Sequence, residues 1–283
     1  MTTVGPIVLV HGFWHGSWCW SPVTEELAAR GLASVAVDMA GHGLDAQSPA
    51  ARWQRPFDPA AFATEPAPSA AVTASSAAAR LAEQVRRIGG GRPCLVVAHS
   101  MGGAVVTAMA ELAPELVAGV VYVTAFAPTG GRSAADYIGL PENAGSMVHS
   151  GLVADPAAIG ALRFDTGDGS GHAGIIETFY ADVPSEVATA AIGLLSPDAP
   201  AGIAAEPGNP TAERFGRLPH TYVVCTQDNA IAAPLQRLMI AGIDELSAAP
   251  TTVVELDCSH SPFLSQPAAV VDALEKAHQA AAG

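Results

Sequence analysis

The stretch CLVVAHSMGG, residues 94–103, sets a serine between an apolar run and a pair of glycines. A strand, a sharp turn and a helix in that order can present Ser100 as an exposed nucleophile. The familiar spacing is G-x-S-x-G, and Ala98 stands here at the first glycine. Small neighbours are required because the turn is tight; alanine serves, with less backbone freedom than glycine. A serine hydroxyl is a weak nucleophile, so Ser100 needs an adjacent base and a carboxylate to orient that base. His260, in ELDCSHSPFLSQP, and Asp228, in VVCTQDNAI, supply them in the order serine, acid, histidine. Asp257 is the competing acid, but its closeness in sequence to His260 leaves it badly placed for the far ring nitrogen.

A tetrahedral intermediate on Ser100 needs preorganised backbone donors. The amides of Met101, at the start of the following helix, and Phe13, in the loop HGFWHGSW, are the expected pair. His11 is read as holding that loop, Asp38 as a loop residue, and His99 as pointing away from the nucleophile. His42, His149, His172 and His220 lack comparable placement. Candidate pocket walls are Phe13, Trp14, Trp18, Phe126, Met147, Phe179 and Phe263, which as a group suit an apolar or aromatic ester. Arg52 and Arg55 are read as solvated loop residues, so no arginine is placed to clamp a carboxylate.

These residues must be carried by elements that converge. Short β-branched runs at 6–10, 33–38, 94–98, 118–124, 220–225 and 251–256 alternate with helical stretches at 21–30, 75–88, 102–112, 233–246 and 267–281. That rhythm predicts an α/β fold: a mostly parallel sheet of about six strands with helices on both faces. Ser100, Asp228 and His260 then all follow strands at one sheet edge, where such folds bind ligands. Two segments break the rhythm. Residues 44–72 form a long Ala/Pro-rich loop, expected over the site. Residues 128–217, with helical pieces near 155–163, 173–181 and 184–195, read as a helical cap inserted between core segments 1–127 and 218–283.

Composition narrows the function further. Of 283 residues, 49% are hydrophobic and 14% charged, which suits a packed enzyme core. A net charge of −14 opposes nucleic-acid or anionic-membrane partners. Cys19, Cys94, Cys225 and Cys258 are scattered without metal-ligand spacing, so no metal or other cofactor is expected, and a reducing cytoplasmic setting is. The first apolar run is too short for a signal or a membrane span. The alanine-rich, lysine-poor composition suggests a bacterial source. A monomer or homodimer acting on a small ester or lactone is the expectation.

With these residues assembled, the chain resembles the α/β-hydrolase superfamily and, within it, the plant methylesterase and hydroxynitrile lyase group. The resemblance rests on VLVHGFWHGSWCW, AHSMGG, YVTAFAP, ERFGRLPHTYVVCTQDNAI and SHSPFLSQP. It implies Ser100, Asp228 and His260 as triad and Phe13 and Met101 as oxyanion donors. Departures are informative. The esterases commonly carry alanine at the position of Phe13, and residues 44–72 are longer than in the plant proteins. The lyases pair a first-loop threonine with a lysine after the catalytic histidine, where this chain has Phe13 and Ser261; its only lysine is Lys276. The resemblance therefore implies an esterase, with lyase or perhydrolase chemistry, or a ligand receptor on the same scaffold, as the alternatives.

Overall fold

In the computed structural model, which describes residues 4–282, the β-branched runs form strands and the alanine-rich runs cover them. The strands are β1 (Ile7–Val10), β2 (Ser34–Val37), β3 (Cys94–Ser100), β4 (Val117–Ala125), β5 (Ala161–Arg163), β6 (Asp198–Pro200), β7 (His220–Cys225) and β8 (Thr252–Leu256). Six make one sheet, ordered β2-β1-β3-β4-β7-β8, with every neighbouring pair parallel.

Side chains alternate across the pleat. Val8, Val10, Val96, Ala98, Val120 and Tyr122 bury against helices Ala74–Gly89, Gly102–Leu112 and Ala233–Asp244. Ile7, Leu9, Leu95, Val97, Val121 and Val123 bury against Ser21–Ala29 and Pro267–Ala282 on the other face. The chain leaves β1 toward β2 and then returns to β3 on the opposite side. Strand order therefore reverses between β1 and β3, and the loops leaving their C-terminal ends border the resulting crevice. Phe13 and Ser100 lie there.

The segment 128–217 is not purely helical. The helix expected over 155–163 runs only from Pro156 to Ile159 and stops at Gly160, whose φ of +76° ends the turn. Ala161–Arg163 then pairs antiparallel with Asp198–Pro200. Helices His172–Phe179 and Ser185–Leu194 follow the expected positions.

The 44–72 stretch folds as short turns and one helix, Pro59–Thr64, capped by Asp58. It is tied to the β5–β6 pair by Arg163, a fully buried residue. The guanidinium forms a two-pronged pair with Asp198 at 2.6 and 2.7 Å. Its remaining nitrogen donates to the carbonyl oxygens of Phe62 and Glu65. Among the described residues, no helix is long and apolar enough to cross a membrane.

Candidate active site

Ser100 ends β3 with φ +52°, a left-handed conformation that costs a non-glycine residue energy. The cost falls on the serine itself. Ala98 lies within the extended strand, paired between Val10 and Tyr122, so no glycine is needed there. Close packing is required on the other side of the turn. A Cβ on Gly103 would sit 2.1 Å from the Phe126 carbonyl oxygen, so only glycine lets this helix start so near β4. The Phe126 amide in turn donates to the Ser100 carbonyl at 2.9 Å.

The structure brings His260 and Asp228 together. His260 Nδ1 lies 2.7 Å from Asp228 Oδ2, both residues buried. Because a carboxylate accepts, Nδ1 carries the proton and Nε2 keeps a lone pair for an incoming one. Asp228 Oδ1 accepts from the amides of Ala230 (2.6 Å) and Ile231 (2.9 Å). Its Oδ2 also accepts from Thr124 Oγ1. Asp257 instead accepts from Thr226 and Gln227 in an exposed position. Among the described residues no hydrogen bond joins Ser100 to His260; catalytic contacts of this kind commonly tighten only around substrate.

Thr124 escaped the sequence reading. The β3–β4 register jumps from His99↔Val123 to Ser100↔Ala125, leaving Thr124 as a bulge with φ +37°. That bulge turns its hydroxyl to Asp228. A hydroxyl inside the apolar run VVYVTAFA was the available signal, since a buried polar group needs a partner.

The two amides expected as oxyanion donors belong to residues packed close to Ser100. Met101 caps the helix Gly102–Leu112, and Phe13 follows Gly12, where a Cβ would lie 2.6 Å from Ser100 Cβ. Among the described residues neither amide donates to another group. His11 holds the Phe13 loop: its Nδ1 donates to Gly12 O at 2.7 Å and its Nε2 accepts from the Met39 amide at 3.1 Å. Asp38 accepts from the amides of Ser17 and Leu44. Although His11 Nε2 is 4.0 Å from Asp38, burial lowers its pKa to about 3, so the contact is dipolar. Burial likewise lowers His15 and His42 to about 4. His99 turns away from Ser100 and hydrogen-bonds the His260 carbonyl through Nε2, at 2.8 Å. Burial drives its pKa well down, so it binds that carbonyl as a neutral Nε2–H donor.

A tight cavity of about 40 Å³, room for a few waters, opens at Ser100. Phe13, Trp14, Phe126 and Phe179 line it with Ile138, Leu162, Ile231 and, nearer solvent, Ser146, Val148 and His149. Trp18, Met147 and Phe263 do not line it. Trp18 stacks on His15, while Phe263 packs on Trp20 and His99 in the opposite core layer. Met147 lies between the lining residues Ser146 and Val148, its amide donating to Asn229 O. No residue of 44–72 lines this cavity. Arg52 and Arg55 border a separate groove of about 920 Å³ with Trp53, Phe57, Asp165 and Asp168, which shares no lining residue with the cavity at Ser100. Among the described residues, no group of three or more His, Cys, Asp or Glu is placed to hold a metal ion.

Residues 7–273 match the Alpha/beta hydrolase family. The chain is 28% identical to Esterase PIR7B of Oryza sativa subsp. japonica, covering 95% of this chain and 94% of the rice protein. Methylesterase 18 of Arabidopsis thaliana is also 28% identical, over 92% of each chain. Among solved structures, a pyrethroid hydrolase superposes with a TM-score of 0.77 over 99% of this chain and 100% of its own, at 23% identity; this likeness speaks for the fold.

Proposed function

Because the chain belongs to the Alpha/beta hydrolase family, we propose that it is a serine hydrolase of small carboxylic esters, methyl esters or lactones among them. Ser100 Oγ attacks the ester carbonyl while His260 Nε2 takes its proton. The oxyanion is received by the amides of Phe13 and Met101. His260 returns the proton to the leaving alcohol, Asp228 stabilising the imidazolium, and water activated by His260 then releases the acid.

The observation that carries this reading is the buried Asp228–His260 hydrogen bond, which leaves His260 Nε2 as an acceptor, in a loop whose carbonyl is held by His99, the residue before a serine at positive φ. The apolar lining favours an uncharged substrate. Among the described residues no lysine or arginine lines the cavity, which favours hydrolysis over release of cyanide. Residues 128–217 act as a cap, supplying Ile138, Leu162 and Phe179 to the cavity. All four cysteines are free and buried, in keeping with a reducing cytoplasmic setting.

The test is Ser100→Ala on p-nitrophenyl acetate. Turnover is expected to fall by about 10⁴-fold or more, and the wild type to show an acyl adduct on Ser100 by mass spectrometry. Undiminished turnover without that adduct overturns the proposal.

A further inference from the structure

Of the rings around the small cavity at Ser100, that of Phe13 belongs to the loop packed against the serine. Phe13 is buried and forms a wall of the cavity directly beside the nucleophile. The backbone before it cannot retreat toward Ser100, since at Gly12 even a Cβ would collide with the serine. Behind the ring, His42 stacks on it at 5.7 Å and 14°. Phe13 is thus clamped between the cavity and an imidazole.

Among the other aromatic walls Trp14 is tied through its side chain and Phe126 through its backbone, as Phe13 is where its carbonyl accepts from His15 Nδ1 at 2.8 Å. Trp14 Nε1 donates to Leu162 O at 3.0 Å, and its carbonyl accepts from the Ser196 amide at 2.8 Å, so it joins the core to segment 128–217. The Phe126 amide holds the Ser100 carbonyl. The Phe13 ring makes no polar contact, and its role is to occupy space. It also shields His42, whose Nδ1 donates to Ala40 O while Nε2 is buried without a partner.

We infer that the Phe13 side chain is the specificity-determining residue for the acid part of the ester, restricting Ser100 to acyl groups of about acetyl to propionyl size. The inference rests on the proposed serine hydrolysis. The acyl group stays bonded to Ser100 between the two steps, whereas the alcohol has to leave. The enclosed floor formed by Phe13, Trp14 and Phe126 therefore receives the acyl group, and the rim of Ser146, Val148 and His149 receives the alcohol. Removing a phenyl ring opens space on the order of 100 Å³, the scale on which a dry apolar cavity takes up benzene.

The experiment compares wild type, Phe13→Leu and Phe13→Ala on p-nitrophenyl acetate, isobutyrate and benzoate. In Phe13→Ala the ratio of kcat/KM for benzoate to that for acetate rises at least tenfold, with Phe13→Leu intermediate. Both esters use the same oxyanion amides, so any disturbance of those donors cancels in the ratio. If Phe13→Ala does not fold, the milder Phe13→Leu decides by the same ratio. An unchanged ratio overturns the inference, as does a change confined to a series of acetate esters with varied alcohols. Loss of the parent reading shows separately, as undiminished acetate turnover in Ser100→Ala.

Discussion

The cavity at Ser100 and the groove bordered by Arg52 and Arg55 differ in nearly every respect. The groove is over twenty times larger by volume, open, and flanked by charges. The cavity is small and uncharged. Yet the three described non-glycine residues with positive φ, Trp14, Ser100 and Thr124, all lie at the cavity or immediately behind it. Strain persists only where surrounding contacts over-determine the backbone, and here the bulge in β4, the carboxylate of Asp228 and the helix at Gly102 do so. The proposed chemistry sits at that convergence, which volume alone would not single out. The two regions also keep their polar groups differently. The cavity rests on neutral, buried histidines, and the groove side rests on a buried ion pair.

Acid should separate the two most strongly. His11 is lowered to about 3, and His15 and His42 to about 4, by burial. In the unfolded chain these imidazoles take up protons near pH 6.5, but the folded protein resists until much lower pH. Their contribution is therefore complete above about pH 6.5 and is lost as pH falls toward 4. Each contributes about 1.4 kcal/mol per pH unit across that window. Urea midpoints measured at pH 7.5, 6 and 5 should fall steeply, and a flat series would contradict neutral burial. Next in size is Arg163→Met, which strands Asp198 without its partner. A loss of about 3–5 kcal/mol in unfolding free energy is expected. The double variant Arg163→Met/Asp198→Leu should recover much of it, and no recovery would contradict the charge argument.

Smaller effects sharpen the contrast at the chemistry itself. Thr124→Val removes one donor from Asp228 while keeping the side-chain shape. A hydrogen bond to a charged group is typically worth about 1.5–3 kcal/mol, so kcat should drop about 10- to 100-fold with a modest change in stability. Unaltered kcat would remove Thr124 from the positioning of the acid. The least effect is expected from Arg52→Ala combined with Arg55→Ala. Those side chains border the groove and not the cavity, so kcat/KM on p-nitrophenyl acetate should stay within about twofold of wild type. A larger loss would connect the two regions after all.

Much of this arrangement could be read from the chain. The buried central strands β1, β3, β4 and β7 appear as continuous apolar runs, and the partly exposed edge strands β2 and β8 still carry β-branched residues, so all six were legible to within a few residues. Ser100, Asp228 and His260 were legible as candidates because each follows such a strand at the same edge. Which aromatics face the cavity was not. Phe263 lies three residues beyond His260, yet the turn into helix Pro262–Ser265 sends its ring into the opposite core layer. Nor was the β5–β6 pair visible, since three-residue strands exist only through their partners. The place of 44–72 depended on Arg163, about a hundred positions away, and no local periodicity reports such a contact.

That tie has a consequence for how the chain can vary. Arg163 grips the stretch through the carbonyl oxygens of Phe62 and Glu65, groups that every amino acid possesses. The polar part of the anchorage reads where the main chain runs, and the guanidinium also lies over the Phe62 ring at 5.0 Å. Substitutions at exposed positions such as Gln54 and Ala60 can therefore redecorate that outer face, provided the number of residues between the two grip points stays the same and Asp58, Phe62 and Glu65 keep their own contacts.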